Sequence, residues 1–416
     1  MKNYFNAILI LFNNIEQTIK SFGLKKIDIF NSIGNICSFT IISRTNIPYF
    51  NNSAMDGFAI CHNKTLSLNK LNPKVFTVID TIIAGETCEF NKFDGNFVVE
   101  IMTGARVPLL FDSVIKLEDI LFRFENKFEI LIHRVVKIGE HVRKIGEDLK
   151  LGDILLRKGE IISSSHILSI SSIGIKSIYV IKKPKIYLIC TGNEIVESFN
   201  FNKNNQSSFI NNSSAPYMIS FFKELGFDII YLGIVKDDAS IFLKKINPIL
   251  HSKNFSLIIT TGAVSKGKAD FISNFLLSLG ADILFHGINM RPGKPILCAK
   301  LKSLIYFFCL PGNIISSIVG LRFFVYPFLR FLLGLSFENP FRGKLVSNYD
   351  VVRKYDSFLS AYSYFSESNI CVKILEHQKS FKVSTMLESN SFVFLKTNES
   401  SKKGDFLDIF FYKPLF

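Results

Sequence analysis

Strand-length apolar runs and helix-length amphipathic runs alternate from Pro184 to about Gly334. "KIYLIC", "DIIYLGIV", "SLIITTG" and "LIYFFCL" read as buried strands. Between them "SAPYMISFFKELG", "ASIFLKKI" and "ADFISNFLLSLG" read as helices. Pro216 suits a first helical turn, Gly226 a helix end, and Asp237 or Asp238 a helix cap. This alternation predicts a parallel α/β sheet covered on both faces. Ser303 to Leu321 carries no charge and approaches the length that spans a bilayer. Pro311-Gly312-Asn313 breaks the run, and Arg322 and Arg330 follow it, so it reads as a buried strand, a tight loop and a core helix over Ile314 to Leu333.

The flanks are patterned differently. Asn13 to Phe22 has helical spacing ended by Gly23, after a short apolar run from Ala7 to Phe12 with no small-residue cleavage site behind it. Asn46 to Ile138 is short strands and turns, among them "VFTVID" and "FEILIHRVV". Gly139 to Ile181 predicts two short strands, a helix near Ser164 to Ser172 and a further strand. Beyond Ser336 no helix-length period appears, and runs such as "SFVFL" and "DIFFY" predict a small β domain. "FNFNKNNQSS", near Asn200 to Ser208, reads as a mobile surface loop.

A chain of 416 residues can bury large cores unaided. Its 43 Phe with no Trp is an unusual apolar supply, spread along the whole length. The net charge of +14 raises nucleic acid as a partner, but the Lys residues are scattered and no block of like charge appears. Such a field also attracts small phosphate-bearing ligands. Seven Cys without a C-x-x-C and seven His without an i, i+4 pair give no zinc site and no disulfide framework, which fits a reducing, cytoplasmic compartment.

Ligands of open α/β sheets bind beyond the carboxyl ends of the strands. Three loops leave strands there: Thr191-Gly192-Asn193-Glu194, Thr261 to Asp270, and Leu310-Pro311-Gly312-Asn313. The second and third lead into helices, whose N-terminal amides favour an anion. Ser265, Lys266 and Lys268 add a hydroxyl and positive charge. "MRPGKP" stiffens Arg291 and Lys294 between prolines, a pairing suited to an oxyanion. In "NSAMDGFA" a single carboxylate, Asp56, stands in a small-residue turn between apolar flanks.

"NSAMDGFA", "IMTGARVP", "RKIGEDLKLGD", "TGNEIV", "TTGAVSKGKAD", "MRPGKP" and "LPGN" occur in an order that resembles the molybdopterin molybdenumtransferases, to which the C-terminal domain of gephyrin is similar. The match runs from about Ile47 to Asn313 and more faintly onward. The resemblance implies a multidomain α/β and β fold. Residues 1–45 with 139–181 would form an elongated linker or dimerisation domain, and 46–138 a β-rich domain carrying SAMDG and TGA. Residues 182–334 would form the α/β molybdopterin-binding domain, and 335–416 a small C-terminal β barrel. The implied reaction is insertion of molybdate into adenylylated molybdopterin with release of AMP, assisted by Mg2+. It implies a homodimer in which the SAMDG segment of one subunit faces the α/β domain of the other, supplied by a molybdopterin adenylyltransferase. Nucleic acid and membrane are not implied partners.

Motif by motif, the resemblance makes Asp56, Thr103, Glu194 and Asp270 catalytic. Asp56, Glu194 and Asp270, with Asp238 as a lesser member, would hold the metal ion. Gly262, Ser265, Pro311, Gly312 and Asn313 would cradle phosphate, Arg291 and Lys294 would bind molybdate or phosphate, and Ser380 in "HQKSF" would stand near the oxyanion. The bland readings are a turn for Asp56 and Thr103, caps for Glu194 and Asp238, a helix-end charge for Asp270 and an exposed serine for Ser380. Ala263, Ile314, Gly287 and Asn212-Ser213-Ser214 depart from the family pattern, as does the region from Arg353 to Tyr364. The alternatives are a non-catalytic molybdopterin-binding scaffold on the same fold, or the adenylyltransferase, which resembles the α/β segment alone.

Overall fold

The computed structural model describes residues 2–19, 23–86, 90, 95–123, 128–197, 208–252, 254–264, 271–302 and 304–414. The loop expected at Asn200 to Ser208 lies outside the described residues except Ser208, and so does the run from Ser265 to Asp270. The chain forms two compact units. One comprises Asp28–Ile33 and Phe39–Ile178, the other Met1–Ile27, Gly34–Ser38 and Tyr179–Phe416.

The first unit is built on a six-stranded sheet. Its order is Ser113–Lys116, Gly57–Ile60, Phe97–Ile101, Lys74–Ile82, Glu129–Ile132 and Phe122–Arg123. Successive side chains of a strand point to opposite faces. Phe58 and Ile60 accordingly join one core with Phe76, Val98 and Ile115, while Ala59 joins another with Val99, Ile101 and Val114. Both faces are buried, so these strands read as nearly continuous apolar runs. Gly57 is required by close packing, because a Cβ there would lie 2.0 Å from the Ile115 carbonyl oxygen. The helix Ser164–Ser172 falls where its periodicity placed it, capped by Ser163.

In the second unit the strands are β1 (Lys185–Thr191), β2 (Ile229–Val235), β3 (Ser256–Thr261), β4 (Asp282–His286), β5 (Leu297–Leu301) and β6 (Ile305–Leu310). Their order is β2-β1-β3-β6-β5-β4. The first four in that order are parallel, but β5 runs antiparallel to β6 and β4 antiparallel to β5. The sheet is therefore mixed rather than wholly parallel. A parallel neighbour needs a crossover of a dozen or more residues, and no helix intervenes between β4 and β6. Helices Ser214–Glu224, Ala239–Leu250 and Ile272–Ser278 provide the crossovers among the parallel strands.

The long apolar helix Ile314–Leu332 would suit a membrane by length and composition, yet 89% of its most apolar stretch is buried inside this unit. The N-terminal helix spans Tyr4–Ile19, starting well before the expected Asn13. Asn3 accounts for the early start, since its side chain accepts from the Asn6 amide at 2.8 Å. Tyr4, Ala7, Ile8, Leu11 and Ile15 form the buried stripe. Tyr4 packs edge-on against Phe323, Phe324 and Phe358, and Phe323 stacks on Phe358 at 3.9 Å. The phenylalanine-rich composition thus fills the seam between helix and barrel.

The C-terminal strands close on themselves. Phe341–Leu345 pairs with Asn369–Ile374 and Phe406–Phe411, Asp356–Ser366 pairs with Asn369–Ile374 and Ser391–Leu395, and Ser391–Leu395 pairs with Phe406–Phe411. The result is a five-stranded barrel. Met290 and Arg291 pair in parallel with Asp356 and Ser357, which fixes the MRPGKP loop to a barrel strand.

Candidate functional site

Asp56 and Thr103 come together in the first unit. Ser53 donates its amide to Ala105 O at 2.9 Å, and Gly104 donates to Ser53 O at 2.8 Å, so the SAMDG and TGA segments are laced to each other. The exposed Asp56 Oδ1 then accepts from the Thr103 amide at 2.7 Å and from its hydroxyl at 2.8 Å. These two bonds, the amide first, hold the carboxyl below its ordinary range. Thr103 serves here as an orienting group for the carboxylate.

The strand-end loops of the second unit converge as expected. The Gly192 amide donates to Val235 O, the Gly262 amide to Leu310 O, and the Thr191 hydroxyl to Thr261 O. A Cβ on Gly262, at φ +93°, would fall 2.4 Å from Thr191 O, so only glycine fits there. Next to it Ala263 takes φ +48°, a left-handed conformation that costs a non-glycine residue about 1–2 kcal/mol. Pro311 is buried, while Gly312 and Asn313 are exposed at the rim where the helix from Ile314 begins. Glu194 is exposed at the end of β1. Asp238 spends Oδ1 on capping the helix Ala239–Leu250, accepting from the amides of Ser240 and Ile241 at 2.7 and 3.1 Å. Ser265 and Asp270 lie outside the described residues.

Asn212 stands where the family pattern has an acid. Its Oδ1 accepts from the Ala215 amide at 3.2 Å, and its Nδ2 donates to Tyr231 Oη at 2.8 Å. The Tyr231 hydroxyl in turn donates to Glu197 at 2.6 Å. With that hydrogen committed, the position needs an amide donor rather than a second carboxylate.

Arg291, Lys294 and Ser380 share one pocket of about 420 Å³. It lies between the MRPGKP loop, the start of the Ile314–Leu332 helix and the barrel segments around Arg353 and His377–Phe381. Three bonds seat the last segment. Ile315 donates its amide to Ser380 O at 3.1 Å, and Gln378 bonds both the amide and the carbonyl of Ser360 at 3.0 Å.

Arg353, Tyr355 and Lys379 also line this pocket, and reading the motifs missed them. Arg291 Cζ lies 4.8 Å from the Tyr355 ring centroid, and Arg353 reaches the Tyr355 and Tyr349 hydroxyls at 3.3 and 3.1 Å. Burial opposes the charge on Arg353, but the bonds to Tyr349 and Tyr355 outweigh it and hold the group above its ordinary range. Among the described residues no Asp or Glu lines the pocket, and none pairs with Arg291, Lys294, Arg353 or Lys379. Aromatic rings hold the guanidinium groups without neutralising them. A cluster of uncompensated cations on a seated framework suits an oxyanion.

Comparison with known proteins agrees with this geometry. Residues 7–174 match the MoeA N-terminal region (domain I and II), and residues 187–330 match a probable molybdopterin binding domain. A molybdopterin molybdenumtransferase from Bacillus subtilis is 30% identical over 372 residues, covering 88% of this chain and 84% of that relative. One from Synechococcus elongatus is 29% identical over 330 residues, 79% of each chain. A crystal structure of a molybdopterin biosynthesis moeA protein from Pyrococcus horikoshii has a TM-score of 0.78 at 23% identity, covering 98% of this chain and 99% of that one. A second moeA structure from that organism has a TM-score of 0.79 at 26% identity, covering 97% and 99%. With the ordered motifs, the mixed α/β sheet and the closed barrel all in place, the chain belongs to the molybdopterin molybdenumtransferase family.

Proposed function

We propose that this chain inserts molybdate into adenylylated molybdopterin, releasing AMP and leaving molybdenum on the dithiolene. The observation that carries the reading is the carboxylate-free pocket holding Arg291, Lys294, Arg353 and Lys379. Those groups hold a tetrahedral dianion by charge and by paired N–H donors. The glycine-bearing strand ends, with Gly262, Gly312 and Asn313, offer backbone amides and close approach to the phosphate end of the substrate, joined by Ser265. Cleaving a phosphoanhydride needs positioning and charge neutralisation more than a strong nucleophile, because an oxygen of molybdate or water can attack phosphorus.

The exposed carboxylates of Asp56 and Glu194, with Asp270, are the oxygen donors that Mg2+ prefers, and none of the described pair is held by a cationic side chain. Mg2+ held there would offset the charge of the departing phosphate. Asp238 keeps one uncapped oxygen for a minor share. The reading extends to a homodimer in which Asp56 serves the pocket of a second copy, with a molybdopterin adenylyltransferase as substrate donor. The six described cysteines are all free, which supports a cytoplasmic setting. The adenylyltransferase alternative has no use for a pocket built half from the barrel.

The test is AMP release from adenylylated molybdopterin by the purified chain with Mg2+ and molybdate. Release that depends on molybdate is expected, and Arg353→Ala should raise the molybdate concentration required by about tenfold or more. Substrate that is bound but left intact would mark a scaffold and overturn the reading.

A further inference from the structure

Thr385 lies in the short turn Val383–Met386 and lines the same pocket. It is only 3% exposed. Its backbone is fully used, the amide donating to Lys382 O at 3.3 Å and the carbonyl accepting from the Ser389 hydroxyl. Its Oγ1 is buried and has no hydrogen-bond partner. Buried polar atoms are ordinarily bonded, and one left unmet destabilises the fold that holds it. Valine has the same outline and carries no hydroxyl to leave unmet, so packing gives no reason for threonine here.

The turn also has little freedom to carry the hydroxyl away. The segment before it is tied to Ser360 by Gln378 and to Ile315 by the Ser380 carbonyl. An orphaned donor on a seated wall of a cation-lined pocket is a prepared ligand contact.

We propose that Thr385 is a further ligand-binding residue, its hydroxyl donating to an oxygen of the tetrahedral oxyanion that Arg291, Lys294 and Arg353 hold. The proposal rests on the oxyanion reading of that pocket and adds a neutral, directional contact to it. Charge alone attracts any anion, whereas a hydroxyl at a set position favours one whose oxygens reach it.

The test is calorimetric titration of the full chain with sodium molybdate, using wild type, Thr385→Val and Thr385→Ser, with thermal unfolding of each in the absence of ligand. Wild type should bind, Thr385→Val should bind about tenfold or more weakly, and Thr385→Ser should stay close to wild type. Unliganded Thr385→Val should unfold no earlier than wild type, since the hydroxyl it lacks bonds nothing in the protein. Equal molybdate affinity in wild type and Thr385→Val would overturn the Thr385 assignment while leaving the pocket reading intact. An earlier unfolding of Thr385→Val at unchanged affinity would make the hydroxyl structural and overturn it too. No binding by wild type would remove the oxyanion reading itself and this contact with it.

Discussion

The carboxylate of Asp56 takes two hydrogen bonds from one residue, Thr103, which sits 47 positions away in sequence. That arrangement sets both its direction and its acidity. Asp56 is held below the ordinary carboxyl range, so it stays ionised further into acid than a free carboxylate. Removing the hydroxyl in Thr103→Val should raise the Asp56 pKa toward ordinary. The acid limb of the pH–rate profile for AMP release should then move to higher pH, with lower turnover on that limb. An unmoved limb would separate Thr103 from the Asp56 titration. Asp56, Arg291 and Lys294 were legible because each sits in a compact motif whose local chemistry is unusual. Arg353, Tyr355 and Thr385 were not, because they come from β segments with no motif of their own and meet the MRPGKP loop only when the barrel closes.

Helix and strand boundaries inside the α/β segment follow the apolar period closely, as in Ser214–Glu224 and Ser256–Thr261. The antiparallel pair β4 and β5 escaped that reading because each strand is five residues long and no helix marks the connection. The N-terminal helix was read short because its first turn looks like a plain apolar run until Asn3 is seen to cap it. The Ile314–Leu332 helix carries a buried charge that the apolar pattern flagged without explaining. Arg322, 2% exposed, forms a two-pronged ion pair with Glu338 at 2.7 Å for both contacts and donates to Phe411 O at 3.0 Å. It lies among Phe323, Tyr326 and Phe410 and joins helix to barrel. Glu338→Gln should cost about 3–5 kcal/mol in denaturant unfolding, because it leaves a buried cation without its counter-charge. Pairing Arg322→Met with Glu338→Leu should recover much of that loss. A loss within about 0.5 kcal/mol for Glu338→Gln would show the pair to be dispensable.

For the molecule as a whole, composition narrowed the possibilities without choosing among them. The charge of +14 is compatible with many anionic partners, and only the pocket gives part of it a definite place. Asp56 belongs to one compact unit and the pocket to the other, and the proposed dimer makes them parts of one reaction through a second copy. Two-fold pairing of this kind predicts complementation between defective chains. The decisive measurement is AMP release by co-expressed Asp56→Ala and Arg291→Ala chains, each inactive or nearly so alone. Random pairing makes roughly half the dimers mixed, each with one intact site, so about a quarter of wild-type activity should return. Activity no greater than that of the two variants assayed apart, in preparations shown to contain mixed dimers, would contradict a site shared between copies.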